Sequence, residues 1–455
     1  MTDDIGIARR IAQTGSLVLF ALLVFLWSVP GLVAVRNALP VLLLISLLAL
    51  KPDYRNAVQT LRQPLVALPL VALSLWIAFH NSFLAWEPAH AWRESSQWFK
   101  SLAVFAIGVL VANSPGWKSA RSRHIAWLGA LGVSYTAYLA FQIAYKPWSL
   151  DAPVTAILQQ NTLVGSRDLG SYLGTALVAL WLAELASQAA RGISLFGARR
   201  WLAPLALLVS MGLTVAMMTR NALPVMFVVT CGAFIAYAQT RTRSEFGRTA
   251  AIGVLGLVVV LGAAAVSVHG DPRWKTLSAA VQAGVDIEHN KAWLDQESAE
   301  RMPLAADGKP VDSSAYMRAA WMTGLLDEIR RNPLGVGFDR NAFGRALKEH
   351  YGRPVSTQFG HSGILDFTLG LGIPGGLLFV ATLGALVASG VRRWREARSG
   401  AGLALALFVA AYGLRACIDG TVRDHMIEQA FFVAGLLFGL AKLGSQAPAA
   451  PEPAR

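Results

Sequence analysis

The sequence predicts an all-α membrane protein with about twelve transmembrane helices and one large polar loop late in the chain. Hydrophobic residues make up 55% of its 455 residues and charged residues only 15%, whereas a soluble domain carries about 25% charged residues. Apolar runs close to the ~20 residues needed to cross a bilayer recur from one end of the chain to the other. One polar stretch, 269–360, interrupts this pattern.

Twelve apolar runs are predicted to cross the membrane, nine before the polar loop and three after it. They cover 14–30, 37–50, 63–80, 98–114, 125–145, 169–190, 201–218, 222–239, 250–268, 361–390, 401–416 and 426–441. The chain therefore divides into residues 1–268, the loop domain 269–360, residues 361–443 and a tail at 444–455. Because the tail is rich in proline and alanine, we expect it to be disordered.

Basic residues predict the orientation of these helices, because loops rich in arginine and lysine stay in the cytoplasm. Alternate loops carry them in groups, and the short loops between have only one or two each. The groups are Arg9 and Arg10; Lys51, Arg55 and Arg62; Lys118, Arg121 and Arg123; Arg191, Arg199 and Arg200; Arg241, Arg243 and Arg248; and Arg392, Arg393, Arg395 and Arg398. Both termini are therefore predicted to be cytoplasmic, with 269–360 outside. The net charge of +13 follows largely from this asymmetry, so it does not indicate a nucleic-acid partner.

Glycine and proline predict two breaks in regular structure beside the loop. The segment Pro333-Leu-Gly-Val-Gly337 is typical of a turn, which would bring the chain back toward the membrane. The tenth span should kink or allow close helix contact, because glycines surround a proline within it. These residues are Gly370, Gly372, Pro374, Gly375 and Gly376.

His361 is the candidate catalytic residue. It lies where the polar loop ends and the tenth apolar run begins, on what we predict to be the first turn of a helix. The partial positive charge at a helix N-terminus disfavours an imidazolium and attracts anions, and a neutral imidazole can act as a base. The alternative is that His361 only caps the helix or lines the membrane interface.

Two arginines are candidate ligands for an anionic group. Arg220 lies between two closely connected spans, where an arginine is costly unless an anion pairs with it. The alternative for Arg220 is that it extends to the membrane surface. Arg318 falls on the apolar stripe of a helix predicted at 313–332, so it either faces an anionic ligand or caps a core.

Two further arginines adjoin the same outward face and could join the anion site. Arg167 begins the sixth span beside an acidic neighbour, which also fits a solvated pair at a helix start. Arg423 lies in the last outward turn, near Arg415 and Asp419. We expect the charged residues of that turn to form a structural ion-pair cluster rather than part of the anion site.

These residue types suit chemistry on a pyrophosphate group. A guanidinium binds phosphate oxygens through two hydrogen bonds and keeps its charge, and a neutral His361 could deprotonate an attacking hydroxyl. The chain has no Asp-x-Asp pair, so a metal-chelating carboxylate motif is absent and arginines would stabilise the departing phosphate. Cys231 and Cys417 belong to distant spans and indicate neither a disulfide nor a metal site. We expect no metal and no cofactor.

Several of these features together resemble the O-antigen ligase and polymerase superfamily. They are the span layout, the Met218-Thr-Arg220-Asn segment, the large late loop, the Arg318 to Gly337 region with Trp321 and Asn332, and the run from His361-Ser-Gly-Ile-Leu to Gly372-Ile-Pro-Gly-Gly. The resemblance is strongest over 200–380. Family members often have Ser-Arg-Gly where this chain has Thr219-Arg220-Asn221.

The resemblance implies a GT-C-like glycosyltransferase of the bacterial inner membrane, working on the periplasmic face without metal. The donor would be an O-antigen glycan on undecaprenyl pyrophosphate, and the acceptor would be lipid A-core. His361 would act as the base, with Arg220 and Arg318 on the pyrophosphate.

Other functions remain open from the sequence. An O-antigen polymerase or a protein O-oligosaccharyltransferase of the same superfamily would use the same donor chemistry. A transporter of a lipid-linked or anionic sugar would also need arginines in a membrane cavity. However, a transporter should place charges near the middle of the bilayer and show related halves, whereas the polar residues here cluster on one face without a visible repeat.

Overall fold

The computed structural model describes residues 2–27, 29, 31–115, 126, 167–197, 199–216, 220–241, 243–270, 274–295, 302–305, 308–422 and 424–444. Within these ranges the regular elements are helices, and no β-strand is present. The helices are α1 Thr2–Leu26, α2 Val33–Ala49, α3 Tyr54–Leu61, α4 Pro64–Phe83, α5 Pro88–Ala112, α6 Arg167–Arg191, α7 Leu202–Ala216, α8 Ala222–Ala238, α9 Phe246–Gly270, α10 Leu277–Val285, α11 Ala292–Asp295, α12 Ser313–Arg331, α13 Ala342–Tyr351, α14 Gly363–Ala397, α15 Gly400–Ile418 and α16 Asp424–Gly444.

The all-α membrane class predicted from composition is confirmed. Six helices of the described chain are long and apolar enough to cross a membrane, namely Pro64–Phe83, Pro88–Ala112, Asp168–Arg191, Gly363–Ala397, Gly400–Ile418 and His425–Leu443. Five further predicted spans correspond to shorter apolar helices at Arg10–Leu26, Val33–Ala49, Leu202–Val215, Ala222–Ala238 and Gly253–Gly262. The fifth predicted span, 125–145, lies outside the described residues, as does the tail beyond Gly444.

Several helices extend past the apolar runs that predicted them. The fourth span was expected at 98–114, but α5 already begins at Pro88, which occupies its first turn. Likewise α1 begins at Thr2 rather than at residue 14. Hydropathy marks only the part of a helix that meets hydrocarbon, whereas backbone hydrogen bonding continues through polar residues outside it.

Close backbone contact joins α5 to α16 in the membrane core. A Cβ atom on Gly108 would lie against the carbonyl oxygen of Phe432, and one on Gly435 would lie against the carbonyl of Phe105. Small residues allow helix backbones to approach in lipid, where dispersion contacts replace the hydrophobic effect as the main attraction. These two glycines therefore set the spacing of the pair.

The predicted kink in the tenth span is present at Gly372, whose φ of 73° and ψ of 172° break the helix α14. The predicted turn after Pro333 packs into this break. Val336 N donates to Leu369 O at 3.0 Å and Gly337 N donates to Gly370 O at 2.9 Å. The turn thus supplies donors to carbonyls that the broken helix no longer satisfies.

Helix α4 completes the same junction from the other side. Trp76 Nε1 donates to Leu371 O at 2.8 Å, and His80 Nε2 lies 2.7 Å from Leu334 O, to which it donates. A backbone carbonyl left without a donor in hydrocarbon costs several kcal/mol. These contacts explain how a helix can be interrupted between its two apolar halves.

The loop domain has its own core around α12. The buried side chains that form it include Trp293, Tyr316, Trp321, Leu325, Phe343 and Leu347. Helix α12 begins at the N-cap Asp312, whose side chain accepts a hydrogen bond from Ala315 N. The inward stripe predicted for this helix is confirmed at Leu325 and Ile329, which are buried.

The helix ends gather in two groups. At one end, Asn221 Nδ2 donates to Asp419 Oδ2 and Gly363 N donates to Asp419 O, which joins the start of α8 and α14 to the end of α15. At the opposite end, Arg191 donates to Ala397 O. The predicted basic groups at 191–200, 241–248 and 392–398 lie at this second end.

Candidate functional site

A cavity of about 430 Å³ lies at the first end of the helices, between the start of α6, the segment before α14 and the turn after α15. Its size falls within the range of about 300–1,000 Å³ typical of small-ligand sites. The described residues that line it are Asp168, Leu169, Arg340, Asn341, Gln358, Phe359, His361, Asp419, Gly420, Thr421, His425 and Met426. Carboxylates, imidazoles, amides and an aromatic ring therefore border one space.

His361 lies on this cavity, but it is not part of the first helical turn as we expected. Helix α14 begins at Gly363, and Ser362 is its N-cap, with Oγ accepting from Leu365 N at 3.4 Å. Ser362 Oγ also donates to Cys417 O at 2.8 Å. His361 precedes this cap with a left-handed φ of 54°. A serine takes the cap because its short hydroxyl reaches the free N–H groups, and the histidine ring is directed elsewhere.

The rings of Trp321 and Phe359 contact the His361 imidazole. The indole of Trp321 is stacked on it, with ring centroids 4.6 Å apart and planes 16° from parallel. The Phe359 ring also contacts the imidazole, with ring centroids 4.5 Å apart and planes inclined at 46°. The imidazole is half-buried and combines aromatic contacts with access to the cavity.

Asp419 is a buried carboxylate on the cavity wall. Its Oδ2 accepts hydrogen bonds from Arg415 at 2.6 Å and from Asn221 at 3.0 Å. Arg415 has no exposed surface, and it also donates to Ser171 Oγ at 2.9 Å and Asp168 O at 3.2 Å. The structural ion pair predicted for this turn is therefore confirmed for Arg415 and Asp419. The grouping of charged residues in one turn was the sequence signal for it, and their spacing of four residues agrees with it.

The environment of Asp419 combines opposing electrostatic effects. Burial raises the pKa of its carboxyl group, and the charges of Arg415 and Arg318 oppose this rise. Asp168 is close enough to act on the same carboxyl and raises its pKa further. The site thus concentrates two carboxylates and two guanidinium groups at one helix end.

Arg318 is brought to this cluster by the loop helix α12. It is half-buried, and its charge acts on the Arg415–Asp419 pair. It does not border the cavity itself. Arg318 therefore lies near Asp419 of the cavity wall, one turn along α12 from Trp321.

Arg220 has a protein partner. Its Nη2 donates to Asp312 Oδ1 at 2.6 Å, with 15% of the Arg220 side chain and 8% of the Asp312 side chain exposed. The guanidinium also lies 6.0 Å from the ring of Trp274. The anionic partner expected for a membrane-buried arginine is thus present within the chain, at the N-cap of α12.

The other two candidate arginines lie outside what the structure describes. Arg423 is not described, and of Arg167 only the backbone at the start of α6 is. Their neighbours Asp168, Thr421 and His425 do border the cavity. The predictions for Arg167 and Arg423 therefore stay predictions.

The basic half of the loop, 330–353, is largely neutralised by acidic side chains. The pairs are Arg331–Asp327, Arg340–Glu94, Arg345–Asp339, Arg345–Glu87 and Arg353–Asp295. Two of these partners, Glu87 and Glu94, belong to the start of α5. Among the described basic residues of this region, only Arg340 borders the cavity. The sequence showed the clustering of charge but carried no signal for these distant partners.

One cluster on the loop has the ligand types of a cation site. One ligand atom from each of Asp327, Glu328 and His350 lies within 4.8 Å of the others. However, His350 Nδ1 and Glu328 Oε1 are 2.6 Å apart, and Arg331 pairs with Asp327 at 3.1 Å. A guanidinium beside the group opposes cation binding, so we assign no metal there.

Comparison with models of known protein families finds no match to this chain, and no curated protein matches it.

Proposed function

We propose that the chain is a glycosyltransferase of the O-antigen ligase type. It transfers a glycan from undecaprenyl pyrophosphate to a sugar hydroxyl of lipid A-core, on the periplasmic face of the bacterial inner membrane and without metal. The observation that carries the proposal is that His361 borders a cavity of about 430 Å³, shared with carboxylate and amide side chains, at the helix end opposite the basic loops. The sequence resemblance adds the identity of donor and acceptor.

The cavity lining suits an acceptor sugar. The Asp168 and Asp419 carboxylates and the Gln358 amide can accept hydrogen bonds from hydroxyl groups, and the Phe359 ring offers an apolar face. A sugar presents both hydroxyls and C–H faces. A hydroxyl bound beside His361 would therefore be within reach of a base.

The donor pyrophosphate is assigned to the arginines. Arg318 lies near the cavity wall, and Asn221, the neighbour of Arg220, binds Asp419. For Arg220 to bind phosphate oxygens, it must share or release Asp312. Arg167 and Arg423 belong to the same proposed anion site through their positions in the chain.

The orientation of the site follows from charge. The loops with grouped arginines lie at the end of α6, α8, α14 and α15 that is remote from the cavity. Since such loops are retained in the cytoplasm, the cavity and the loop domain face the periplasm. Both termini are cytoplasmic in this arrangement.

The proposed reaction is a single displacement. His361 removes the proton from the acceptor hydroxyl as its oxygen forms a bond to the anomeric carbon. The bond from that carbon to the pyrophosphate oxygen breaks on the opposite side, which inverts the configuration. Undecaprenyl pyrophosphate leaves as an anion that the guanidinium groups stabilise, so it needs no proton from an acid.

Reconstitution of the purified protein with lipid-linked O-antigen and lipid A-core, in the absence of nucleotide sugar, tests the proposal. His361→Gln should lower the rate by about 10²- to 10⁴-fold, because it keeps a polar side chain but removes the base. His289→Gln is the matched control, since His289 is exposed in the loop domain and pairs with Asp286. Activity of His361→Gln close to that of the control would reject the catalytic assignment.

The donor site is tested separately with arginine variants. The Arg318→Lys and Arg220→Lys variants should retain little ligation activity, because a single ammonium cannot reproduce two parallel hydrogen bonds to phosphate. Arg331→Lys is the control for replacing an arginine by a lysine, because Arg331 forms an exposed pair with Asp327. Full activity in both site variants would make Arg220 and Arg318 structural residues.

The acceptor distinguishes the related activities. Ligation onto lipid A-core indicates a ligase, and extension of the lipid-linked glycan alone indicates a polymerase. Glycan attached to protein would indicate an oligosaccharyltransferase. Donor moved across sealed vesicles without transfer would indicate a transporter instead.

A further inference from the structure

Trp321 stacks on the His361 ring and limits the orientations open to it. The two rings are nearly parallel at 4.6 Å, with Phe359 contacting the imidazole at a steeper angle. Offset stacking of aromatic rings is worth more than the area it buries. Because His361 precedes the helix cap with φ of 54°, helical packing does not determine its direction.

The Trp321 indole is itself held in place by hydrogen bonds. Its Nε1 donates to Trp293 O at 3.3 Å and to Thr357 Oγ1 at 3.2 Å. Thr357 Oγ1 in turn donates to Trp293 O at 2.5 Å, and Thr357 N donates to Leu294 O at 3.0 Å. The ring is 8% exposed. A ring tethered in this way offers the imidazole a fixed surface rather than a mobile one.

We propose that Trp321 is a positioning residue, which directs the His361 imidazole toward the cavity from the loop domain. The role in catalysis rests on the proposed function, whereas the role in holding the ring does not. Trp321 belongs to α12 and His361 to the segment entering α14, so the contact joins the loop core to the membrane helices. Such a residue affects the rate of transfer more than the binding of substrates, because a misplaced base stabilises the transition state less well.

Three variants separate the stack from its tether. Trp321→Leu removes the stack, while Trp321→Phe keeps an aromatic ring and removes the Nε1 donor. Thr357→Val removes one acceptor of that donor. The Trp293 carbonyl still has a donor in every case, Thr357 in the first two and Trp321 in the third. That buried acceptor therefore keeps a partner in all three variants. Should Trp321→Leu still fail to fold, Trp321→Phe and Thr357→Val, which keep an aromatic ring at position 321, test the proposal.

Trp293→Phe is the matched control. Trp293 is also a buried tryptophan of the loop core, stacked on Phe343. Its Nε1 makes no hydrogen bond within the described chain, and its ring does not contact His361. It therefore reports on the loss of a buried indole without a change at the imidazole.

The first measurement does not depend on enzymatic activity. Diethyl pyrocarbonate modifies accessible imidazoles, and peptide mass spectrometry gives the rate at His361 relative to His289, whose side chain is 81% exposed. The rate at His361 should rise several-fold in Trp321→Leu, rise less in Trp321→Phe and Thr357→Val, and stay unchanged in Trp293→Phe. Unchanged reactivity in the three site variants, or an equal rise in the control, overturns the proposal.

The second measurement is ligation by the same proteins. In Trp321→Leu kcat should fall about three- to tenfold, the range that one aromatic contact supports, with KM for both substrates little changed. Trp321→Phe should recover most of that loss. A rise in KM alone would overturn the positioning role. If no variant and no wild-type protein ligates, yet His361 reactivity follows the expected order, the proposed function fails while the role of Trp321 in holding the ring stands.

Discussion

Asp312 joins two parts of the molecule through one carboxylate oxygen. Asp312 Oδ1 accepts from Ala315 N at 2.8 Å, which caps α12, and from Arg220 Nη2 at 2.6 Å, which ties that cap to the start of α8. Asp312→Ala removes both interactions. Asp312→Asn keeps an acceptor oxygen for both donors and removes only the charge.

The size of each effect follows from the geometry. Loss of an N-cap side chain costs about 1 kcal/mol, within a range of about 0.5–2. A hydrogen bond to a charged group contributes about 1.5–3 kcal/mol, and the low exposure of the pair favours the upper part of that range. We therefore expect Asp312→Ala to weaken the start of α12 by about 3–4 kcal/mol. Asp312→Asn should cost about 1.5 kcal/mol, because a charged hydrogen bond is roughly twice as strong as a neutral one.

Hydrogen exchange at the amides of 313–320 measures this local stability directly. Since about 1.4 kcal/mol is a factor of ten, protection should fall about tenfold in Asp312→Asn and more than about 100-fold in Asp312→Ala. Amides of α13, at 342–351, serve as the unaffected reference. Arg220→Met should reproduce much of the loss seen with Asp312→Asn. If Arg220→Met leaves exchange at 313–320 unchanged, the ion pair does not stabilise the helix start and the reasoning is wrong.

Two further predictions concern the kink and the loop. Gly372→Ala should destabilise the protein strongly, because residues with a Cβ atom rarely adopt the backbone conformation of Gly372 and the added atom would meet the Leu334 backbone. Gly384→Ala, in the same helix, adds its Cβ atom to open space and should be nearly neutral. Thermal unfolding of the two variants in detergent compares these effects. Hydrogen bonding to Arg353 lowers the pKa of Asp295 below its ordinary value of 3.8. The Asp295–Arg353 pair therefore stabilises the fold at pH values above 3.8, and this stabilisation is lost as the pH falls through the lowered pKa of the folded state. Asp295→Asn should therefore reduce the unfolding midpoint near neutral pH and flatten its decline in acid; an unchanged acid profile would show that the pair does not stabilise the fold.

Features encoded over short stretches of sequence were predictable. The apolar runs identified the membrane class because each helix must satisfy its own backbone in lipid. The kink at Gly372 followed from glycines around Pro374, and the Arg415–Asp419 pair followed from the grouping of charged residues in the last outward turn. Helix ends were less accurate, as α5 shows, because hydropathy reports the bilayer and not the limits of hydrogen bonding.

The partners of the polar residues were decided only by the tertiary structure. The sequence indicated that Arg220 needs an anion, but Asp312 is 92 residues away and equivalent acidic residues surround it in the sequence. His361 was identified from its place at a polar boundary, whereas its stacking on Trp321 and its position before the Ser362 cap depend on the tertiary fold. Local composition determines which segments enter the membrane, since that depends on each segment's own transfer free energy. Which charges pair, and which rings enclose the histidine, depends on how helices distant in sequence pack together, and no local pattern carries that information.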